Sequence, residues 1–302
     1  MPNTLIQLLI FMYRYILVTG ANGQLGSEIR DLSPLYPDYQ FIFTDIEELD
    51  ITDHNTVEKF IEKNKINVII NCAAFTAVDK AETEIEISDK INHLAVKNFA
   101  KIVREKEIKL IHISTDYIFD GNSYKPYTEK DTPNPQSIYG KTKLDGEKAM
   151  LKINPKNSII IRTSWLYSSY GNNFVKTMLR LGKEKEELGV VFDQIGTPTY
   201  AGDLAKTILE ILPNIKNDTV EVLHYSNEGV CSWYDFAKTI FELENIPIRV
   251  NALESFEFPL PAKRPFYSIL NKSKLKNKYQ IEIPYWKDSL KICLRKLEII
   301  KY

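Results

Sequence analysis

The sequence predicts an α/β protein with a doubly wound parallel sheet and a smaller C-terminal domain. Short apolar runs rich in β-branched residues alternate with helix-compatible segments from residue 16 to about residue 165, as strands and helices do in a parallel sheet. A glycine-rich turn separates the first such run from the first helical segment. Beyond Trp165 the alternation loosens, and prolines become frequent near the C terminus.

Composition narrows the function before any motif is considered. The chain has 302 residues, 44% of them hydrophobic, and its 39 basic and 40 acidic side chains give a net charge of -1. Because it has no sustained basic block, it lacks the electrostatic footprint of a nucleic-acid-binding protein. Three widely separated cysteines and four scattered histidines predict no disulfide framework, no catalytic metal and a cytoplasmic location.

Residues 5–12 form a short apolar stretch at the start of the chain. This stretch lacks a basic leading segment and a small-residue cleavage site, so we do not interpret it as a signal peptide. It is also far shorter than the roughly 20 residues that cross a bilayer. We therefore interpret residues 1–12 as an N-terminal extension and predict no membrane partner.

The first predicted strand, residues 16–19, leads directly into Gly20, Gly23 and Gly26, and a helix-compatible segment follows. Glycines allow the backbone to turn tightly against a pyrophosphate, and the free N–H groups of a helix start bind its negative charge. Three of only 12 glycines lie within seven residues. This predicts a Rossmann-like dinucleotide site, although the spacing differs by one residue from the usual fingerprint.

The second predicted strand ends in an acid. Asp45 lies about 20 residues after the glycines, where a carboxylate can accept hydrogen bonds from the adenosine ribose. Glu47 and Glu48 follow it and no arginine stands beside it in the sequence, so the site should repel a 2'-phosphate. The pattern favours NADH, while a single carboxylate leaves NADPH open.

Small and hydroxylated residues follow the next two predicted strands. Residues 68–71 lead into the small residues 72–74, and residues 109–114 lead into Thr115. Ligands of open parallel sheets bind at the carboxyl ends of the strands, where small side chains would admit a flat ring or a ribose. Ordinary close packing explains the small residues equally well.

Tyr139 and Lys143 lie four residues apart near the start of a predicted helix, and this spacing puts both side chains on one face. A tyrosine has a pKa of about 10, so it needs a fixed cation beside it to exchange a proton near neutrality. Most such pairs are ordinary surface neighbours. The preceding dinucleotide pattern makes this pair a candidate for proton transfer.

Two further predicted strands, residues 158–162 and 223–226, complete the sheet. We assign residues 13–168 and about 195–228 to a dinucleotide-binding domain. A smaller substrate domain comprises about 169–194 and 229–302.

Several longer motifs occur in order along the chain and are more specific than the glycine turn. They are Ser-Thr-Asp-Tyr-Ile-Phe-Asp-Gly at 114–121, Arg-Thr-Ser-Trp-Leu-Tyr at 162–167, Gly-Asn-Asn-Phe at 171–174, Asp-Gln-Ile-Gly-Thr-Pro-Thr at 193–199 and Pro-Ala-Lys-Arg-Pro at 261–265. With the Tyr139 and Lys143 pair, they make the chain resemble the extended short-chain dehydrogenases nearly end to end. Within these it is similar to the dTDP-4-dehydrorhamnose reductases.

The resemblance implies transfer of a hydride from a nicotinamide to the C4 ketone of a dTDP-4-keto-6-deoxy sugar, with Tyr139 protonating the oxygen. Lys143 would lower the pKa of Tyr139 and bind the nicotinamide ribose. Thr115 would hydrogen-bond the keto oxygen.

The resemblance also assigns binding positions. Asp116 and Trp165 match sugar-contacting positions, and we add Asn173 and Arg264 as candidates for sugar or diphosphate contacts; for Arg264 a surface salt bridge is an equal alternative. Some family members hold a structural Mg²⁺ at a subunit contact, so the resemblance allows such an ion and a homodimer here. The positions that match cofactor contacts are Gly23, Gln24, Leu25, Asp45, Asp50, Ile51, Ala73, Ala74 and Phe75, beside Gly20 and Gly26 of the turn.

Two kinds of alternative remain. Another nucleotide-sugar 4-ketoreductase or a 4-epimerase would share the fold, and consumption of NAD(P)H separates a reductase from an epimerase. A 4,6-dehydratase fits poorly, because those enzymes carry an Asp-Glu pair after the threonine, whereas here Thr115-Asp116 is followed by Tyr117. The regulatory subunit of methionine adenosyltransferase is also similar, but retention of Thr115, Tyr139 and Lys143 favours an enzyme.

Overall fold

The computed structural model of the protein describes residues 14–300. The predicted N-terminal extension lies outside these residues. The strands are β1 (Arg14–Thr19), β2 (Tyr39–Thr44), β3 (Ile66–Asn71), β4 (Lys109–Thr115), β5 (Ser158–Thr163), β6 (Leu166–Tyr167), β7 (Glu187–Val191), β8 (Ile195–Gly196), β9 (Thr199–Tyr200), β10 (Glu221–His224), β11 (Cys231–Ser232) and β12 (Arg249–Leu253). The helices are α1 (Gln24–Leu32), α2 (His54–Lys63), α3 (Val78–Ala81), α4 (Ile85–Asp89), α5 (Ala95–Lys106), α6 (Ile138–Ile153), α7 (Phe174–Glu184), α8 (Ala201–Ile211), α9 (Trp233–Leu243), α10 (Ser273–Tyr279) and α11 (Trp286–Ile300).

Six parallel strands form the central sheet, in the order β10-β5-β4-β3-β1-β2. This confirms the predicted α/β fold with a doubly wound parallel sheet. The strand expected at 223–226 is the sixth strand, and it begins two residues earlier, at Glu221. The strand order reverses between β1 and β3, and such a reversal opens a crevice at the carboxyl ends of the strands.

Helices cover both faces of the sheet. Helices α1 and α8 pack on one face against residues such as Ile16 and Ile70. Helices α2, α5 and α6 pack on the other face against residues such as Leu17 and Ile69. Because the central strands are buried on both faces, their sequences are continuous apolar runs rather than alternating ones.

A separate apolar cluster lies toward the C terminus. It joins α7, α9 and α11 through fully buried side chains that include Phe236 and Leu290. The parallel pair β7 and β12 adjoins it. The sequence pattern missed β12, because Arg249–Leu253 is a polar and partly exposed strand with a single partner.

Two contacts connect the late part of the chain to the sheet. Leu275 of α10 is fully buried in the cluster beneath the sheet. Lys296 of α11 forms ion pairs of 2.6 Å with both Glu28 and Asp31 of α1. The division into two domains therefore stays a prediction, since α10 packs on the sheet. Within residues 14–300 no helix is long and apolar enough to cross a membrane.

Candidate active site

A cavity of about 800 Å³ opens where the carboxyl ends of β1, β3, β4 and β5 meet. Residues on α6 and the first residue of α9 complete its wall. Most of the side chains that the sequence singled out lie there together, although they come from many separate stretches of the chain. Those lining it are Gly20, Gly23, Gln24, Leu25, Asp45, Asp50, Ile51, Ala73, Ala74, Thr115, Asp116, Tyr139, Lys143 and Trp165.

The glycine turn packs directly against the loop that follows β3. Gly20 has a φ of +64°, in the left-handed region that favours glycine. A Cβ on Gly20 would lie 2.7 Å from the backbone of Ala73, so any larger residue would push the two loops apart. Gly23 caps the start of α1, and Gly26 faces the backbone of Ala21 rather than the cavity.

The start of α1 and Asp45 frame one end of the cavity. Oδ2 of Asp45 accepts the backbone N–H of Asn22 at 3.0 Å, which fixes the carboxylate beside the turn. Gly23, Gln24 and Leu25 at the start of α1 line the same cavity, and the first N–H groups of a helix have no acceptors within it. This arrangement can bind a ribose diphosphate.

Phe75 does not line the cavity, and its backbone is held from behind. Its N–H donates to Oδ1 of Asn92 at 2.9 Å, and its carbonyl accepts from Nδ2 of Asn92 at 3.1 Å. Asn92 is 1% exposed and lies in a π-helical turn, Lys90–Leu94. Sequence reasoning missed Asn92; π-helical turns are frequent at functional sites but leave no clear sequence signal.

Tyr139 and Lys143 lie on the first turns of α6, as predicted, and both are buried. The side chain of Ser137 begins the helix by accepting the N–H of Gly140 at 3.2 Å. The ring of Tyr139 packs edge-on against Tyr117, with centroids 5.5 Å apart. The pair therefore presents a phenol and an ammonium to one cavity.

The expected lowering of the Tyr139 pKa by Lys143 is not found in the structure. Burial raises the pKa of Tyr139 to about 12, and the Thr115 hydroxyl opposes that shift. Nζ of Lys143 donates to the carbonyl of Ile113 at 2.6 Å. Burial lowers the pKa of Lys143 to about 8, with Glu147 acting in the opposite direction.

Thr115 and Asp116 lie beside this pair. Oγ1 of Thr115 accepts the N–H of Tyr117 at 3.2 Å and is 3.0 Å from Oδ1 of Asp116. Asp116 is 2% exposed. Burial raises the pKa of Asp116 to about 7, while the hydrogen bond from Thr115 lowers it.

Trp165 also lies where the sequence predicts, and it has a partner that sequence reasoning missed. The ring of Trp233, at the start of α9, stacks on it, and both indoles line the cavity. A tryptophan in the C-terminal half carries no local mark of a site, because its partner is far away in the sequence.

Two predicted contacts do not lie in the cavity wall. Asn173 caps α7 by accepting the N–H of Lys176 at 3.1 Å, and its Nδ2 donates to Oε1 of Gln24 at 3.0 Å. Arg264 forms a two-pronged ion pair with Asp79, with Nη1–Oδ1 and Nη2–Oδ2 distances of 2.9 and 2.8 Å. The salt-bridge alternative for Arg264 is the arrangement that the structure contains.

A buried ion pair supports the site from behind. Glu147 of α6 is fully buried and bonds Arg162 of β5, with an Oε2–Nη2 distance of 2.7 Å. The hydroxyl of Ser114 donates to the same carboxylate. This pair anchors α6 to the strands that carry Thr115. In the described part of the chain, no group of three His, Cys, Asp or Glu side chains is close enough to hold a metal ion.

A parallel sheet with a glycine turn at its switch point, a buried tyrosine and lysine on one helix and a threonine hydroxyl beside them define a nicotinamide-dependent oxidoreductase of the extended short-chain dehydrogenase class. Comparisons with known proteins narrow this class. The family model described as the RmlD substrate binding domain matches residues 14–299. A dTDP-4-dehydrorhamnose reductase of Aggregatibacter actinomycetemcomitans is 43% identical over 91% of this chain and 97% of its own.

Solved structures of similar proteins indicate the same family. A dTDP-4-dehydrorhamnose reductase of Clostridium acetobutylicum has a TM-score of 0.89 and 46% identity, covering 94% of this chain and 99% of its own. A dTDP-4-dehydrorhamnose reductase of Bacillus anthracis, solved in complex with NADP, has a TM-score of 0.89 and 40% identity, covering 94% of this chain and 100% of its own. The chain belongs to the dTDP-4-dehydrorhamnose reductase family, which confirms the resemblance drawn from its motifs.

Proposed function

We propose that this protein uses NAD(P)H to reduce the C4 ketone of dTDP-4-dehydro-6-deoxy-L-mannose to dTDP-L-rhamnose, the last step of dTDP-rhamnose biosynthesis. One observation carries the proposal: Thr115, Tyr139 and Lys143 share a cavity with the dinucleotide turn, in a chain of this family. A ketone placed there can receive a hydride and a proton at once.

The residues have separate tasks in this reaction. The bound nicotinamide supplies the hydride. Tyr139 stays protonated at neutral pH, because burial raises its pKa to about 12, so it can give its proton to the alkoxide that forms from the ketone. Lys143 faces the same cavity as a cation below about pH 8 and stabilises the phenolate that remains.

We infer that the site accepts both NADH and NADPH. Asp45 suits the free ribose hydroxyl of NADH. Nη2 of Arg30 lies 3.4 Å from Oδ1 of Asn22, the residue whose backbone binds Asp45, and its guanidinium lies over the ring of Phe43 at 4.9 Å. A cation at this edge can accompany a 2'-phosphate. The sequence favoured NADH because Arg30 is 15 positions away from Asp45 in the chain but near its partner in space.

We place the reaction in the cytoplasm, because Cys72, Cys231 and Cys293 are all free thiols, which suits a reducing compartment. A homodimer and a structural Mg²⁺ stay predictions from the family. Size-exclusion chromatography with and without a chelator tests both.

The decisive experiment generates the dTDP-4-keto sugar in situ from dTDP-glucose with the dehydratase and the epimerase. Purified protein is then added with NADH or NADPH, and both cofactor oxidation and the sugar product are followed. One reduced cofactor consumed per dTDP-L-rhamnose formed supports the proposal. Sugar conversion without cofactor consumption would identify an epimerase, and no turnover together with a co-purifying partner protein would favour a regulatory subunit.

A further inference from the structure

Thr115 has one hydroxyl proton and three polar neighbours. Its Oγ1 accepts the N–H of Tyr117 at 3.2 Å and lies 3.0 Å from Oδ1 of Asp116. The third neighbour is the phenol of Tyr139, whose pKa the nearby Thr115 hydroxyl lowers. A hydroxyl carries one proton and two lone pairs. Thr115 therefore donates either to Asp116 or toward the cavity, and not to both.

The charge of Asp116 decides between these two directions. An ionised carboxylate can only accept hydrogen bonds, so the Thr115 hydroxyl then donates its hydrogen bond to Asp116. A protonated carboxyl instead donates to the second lone pair of Thr115, since the N–H of Tyr117 occupies the first. The hydroxyl proton of Thr115 then has no acceptor except a group in the cavity.

The surroundings of Asp116 favour its neutral form. The side chain is 2% exposed, and its Oδ2 has no hydrogen-bond partner among residues 14–300. No cation in the described chain forms an ion pair with it, and the side-chain donor that lowers its pKa is the hydroxyl of Thr115. Leaving a buried carboxylate without a cation is costly, so protonation is favoured.

We propose that Asp116, in its protonated form, is a positioning residue that turns the hydroxyl of Thr115 toward the ketone oxygen. This inference rests on the proposed ketone reduction. Neutral Asp116 also helps Tyr139, because an ionised Asp116 would oppose the phenolate that forms when Tyr139 gives up its proton.

The other titratable groups around Asp116 differ from it in the pH at which they lose a proton. Tyr117 in the same turn and Tyr139 on α6 face it as phenols, and burial raises the pKa of both. Lys143 on α6 bonds the Ile113 carbonyl and has a pKa of about 8. The Arg264 and Asp79 pair acts on Tyr117. The hydrogen bonds from Arg264 and Ala262 outweigh burial and lower the pKa of Asp79, so Asp79 is already ionised near neutral pH. Burial raises the pKa of Asp116 to about 7, so Asp116 loses its proton before Lys143 and the two phenols as pH rises.

The test compares the pH dependence of kcat/KM in the wild type and Asp116→Asn, whose amide donates at every pH. Wild-type kcat/KM should fall as pH rises through about 7. In Asp116→Asn it should stay level up to about pH 8, where Lys143 deprotonates. Normalised to their values near pH 6, the two profiles should differ about tenfold at pH 8.

An infrared measurement reads the protonation of Asp116 without any substrate. Near pH 6 the wild type should show a carboxylic acid C=O band that Asp116→Asn lacks. Asp120→Asn is the matched control and should keep that band, because a hydrogen bond from Tyr127 lowers the pKa of Asp120. The inference is overturned if Asp116→Asn retains the wild-type fall through pH 7, or if no band depends on Asp116. Failure of the wild type to reduce the sugar would instead overturn the proposed function. If Asp116→Asn does not fold, the absence of any carboxylic acid C=O band near pH 6 in the wild type overturns the inference.

Discussion

The indole rings of Trp165 and Trp233 are stacked, with centroids 3.6 Å apart and planes inclined by 9°. Trp165 follows β5 and has a φ of +48°, in the left-handed region that is strained for a bulky residue. Gly196 makes room for its ring, since a Cβ there would lie 2.6 Å from the indole. The stack therefore holds a strained residue in the cavity wall, where the sugar is proposed to bind.

Trp233→Ala should weaken sugar binding more than cofactor binding. Without its stacking partner, Trp165 loses support for its strained backbone, and we expect KM for the sugar nucleotide to rise about tenfold, equivalent to about 1.4 kcal/mol. Steady-state kinetics measure the KM, and near-ultraviolet circular dichroism reports loss of the coupled indole signal. Trp233→Phe keeps an aromatic ring, so its KM for the sugar nucleotide should lie between those of the wild type and Trp233→Ala. An unchanged KM after the dichroic signal is lost would contradict this role.

The Arg264 and Asp79 pair should couple the C-terminal segment to α3, the short helix that follows β3. Both Arg264→Lys and Asp79→Asn break the two-pronged geometry, and we expect each to lower kcat/KM severalfold. Because both remove one shared interaction, the double variant should be hardly worse than either single one, with a coupling of about 1 kcal/mol for a partly exposed pair. Kinetics of the four proteins measure this coupling. Strictly additive effects would show that the pair is not a functional contact.

Tyr139→Phe should lose turnover and keep cofactor binding. Removal of a general acid lowers the rate by roughly 10²–10⁴-fold. The glycine turn and Asp45 are unchanged in this variant, so the cofactor should still bind. Stopped assays give kcat, and quenching of protein fluorescence gives the affinity for NADPH. Tyr117→Phe removes the neighbouring phenol and should retain most turnover. Undiminished turnover in Tyr139→Phe would mean that another group donates the proton.

Lys143→Met should abolish turnover and stabilise the fold at neutral pH. The pKa of Lys143 is about 8 in the folded protein and about 10.4 in an unfolded chain. Between these values the unfolded chain binds more protons, so wild-type stability rises with pH there. Below about pH 8 the folded state bears the whole cost of burying the ammonium, up to about 3 kcal/mol.

Urea unfolding near pH 7 and near pH 10 tests this prediction. Lys143→Met should gain free energy of unfolding at the lower pH, and the gain should shrink at the higher one. Glu147 keeps Arg162 as its partner in the variant. Lys141→Met, at an exposed position of the same helix, is the control and should change little. A less stable Lys143→Met protein at neutral pH would refute the prediction.

Arg30→Gln should change the choice of cofactor. The guanidinium near Asn22 can pair with a 2'-phosphate, so its loss should lower kcat/KM with NADPH by about tenfold, within the range of a charge-assisted hydrogen bond. The value with NADH should stay nearly constant. Asp45→Asn is the converse variant and should lower the NADH value more than the NADPH value. Equal losses with both cofactors in Arg30→Gln would place the 2'-phosphate elsewhere.

The sheet could be predicted because its strands are buried on both faces and are therefore unbroken apolar runs. The glycine turn, Thr115, Tyr139 and Lys143 could also be predicted, since each lies at a strand end or helix start that the same runs locate. Their distance from one another in the chain did not matter, because parallel strands end at one edge of a sheet.

Residues that depend on a distant partner could not be predicted. Trp233 and Asn92 belong to the site or support it only because the fold brings Trp165 and Phe75 to them. Asn173 and Arg264 carried suitable side chains, yet a helix cap and an ion pair occupy them. The pKa of Tyr139 was misjudged for the same reason, since the depth of burial is a property of the whole fold.

Lys296 bonds Glu28 and Asp31, so the helix that starts the dinucleotide site is completed by a residue near the end of the chain. The Lys296 and Glu28 side chains of this ion pair are 268 positions apart in the sequence. The helix that follows the glycine turn therefore depends on a contact that forms only when the first and last helices of the described chain have met.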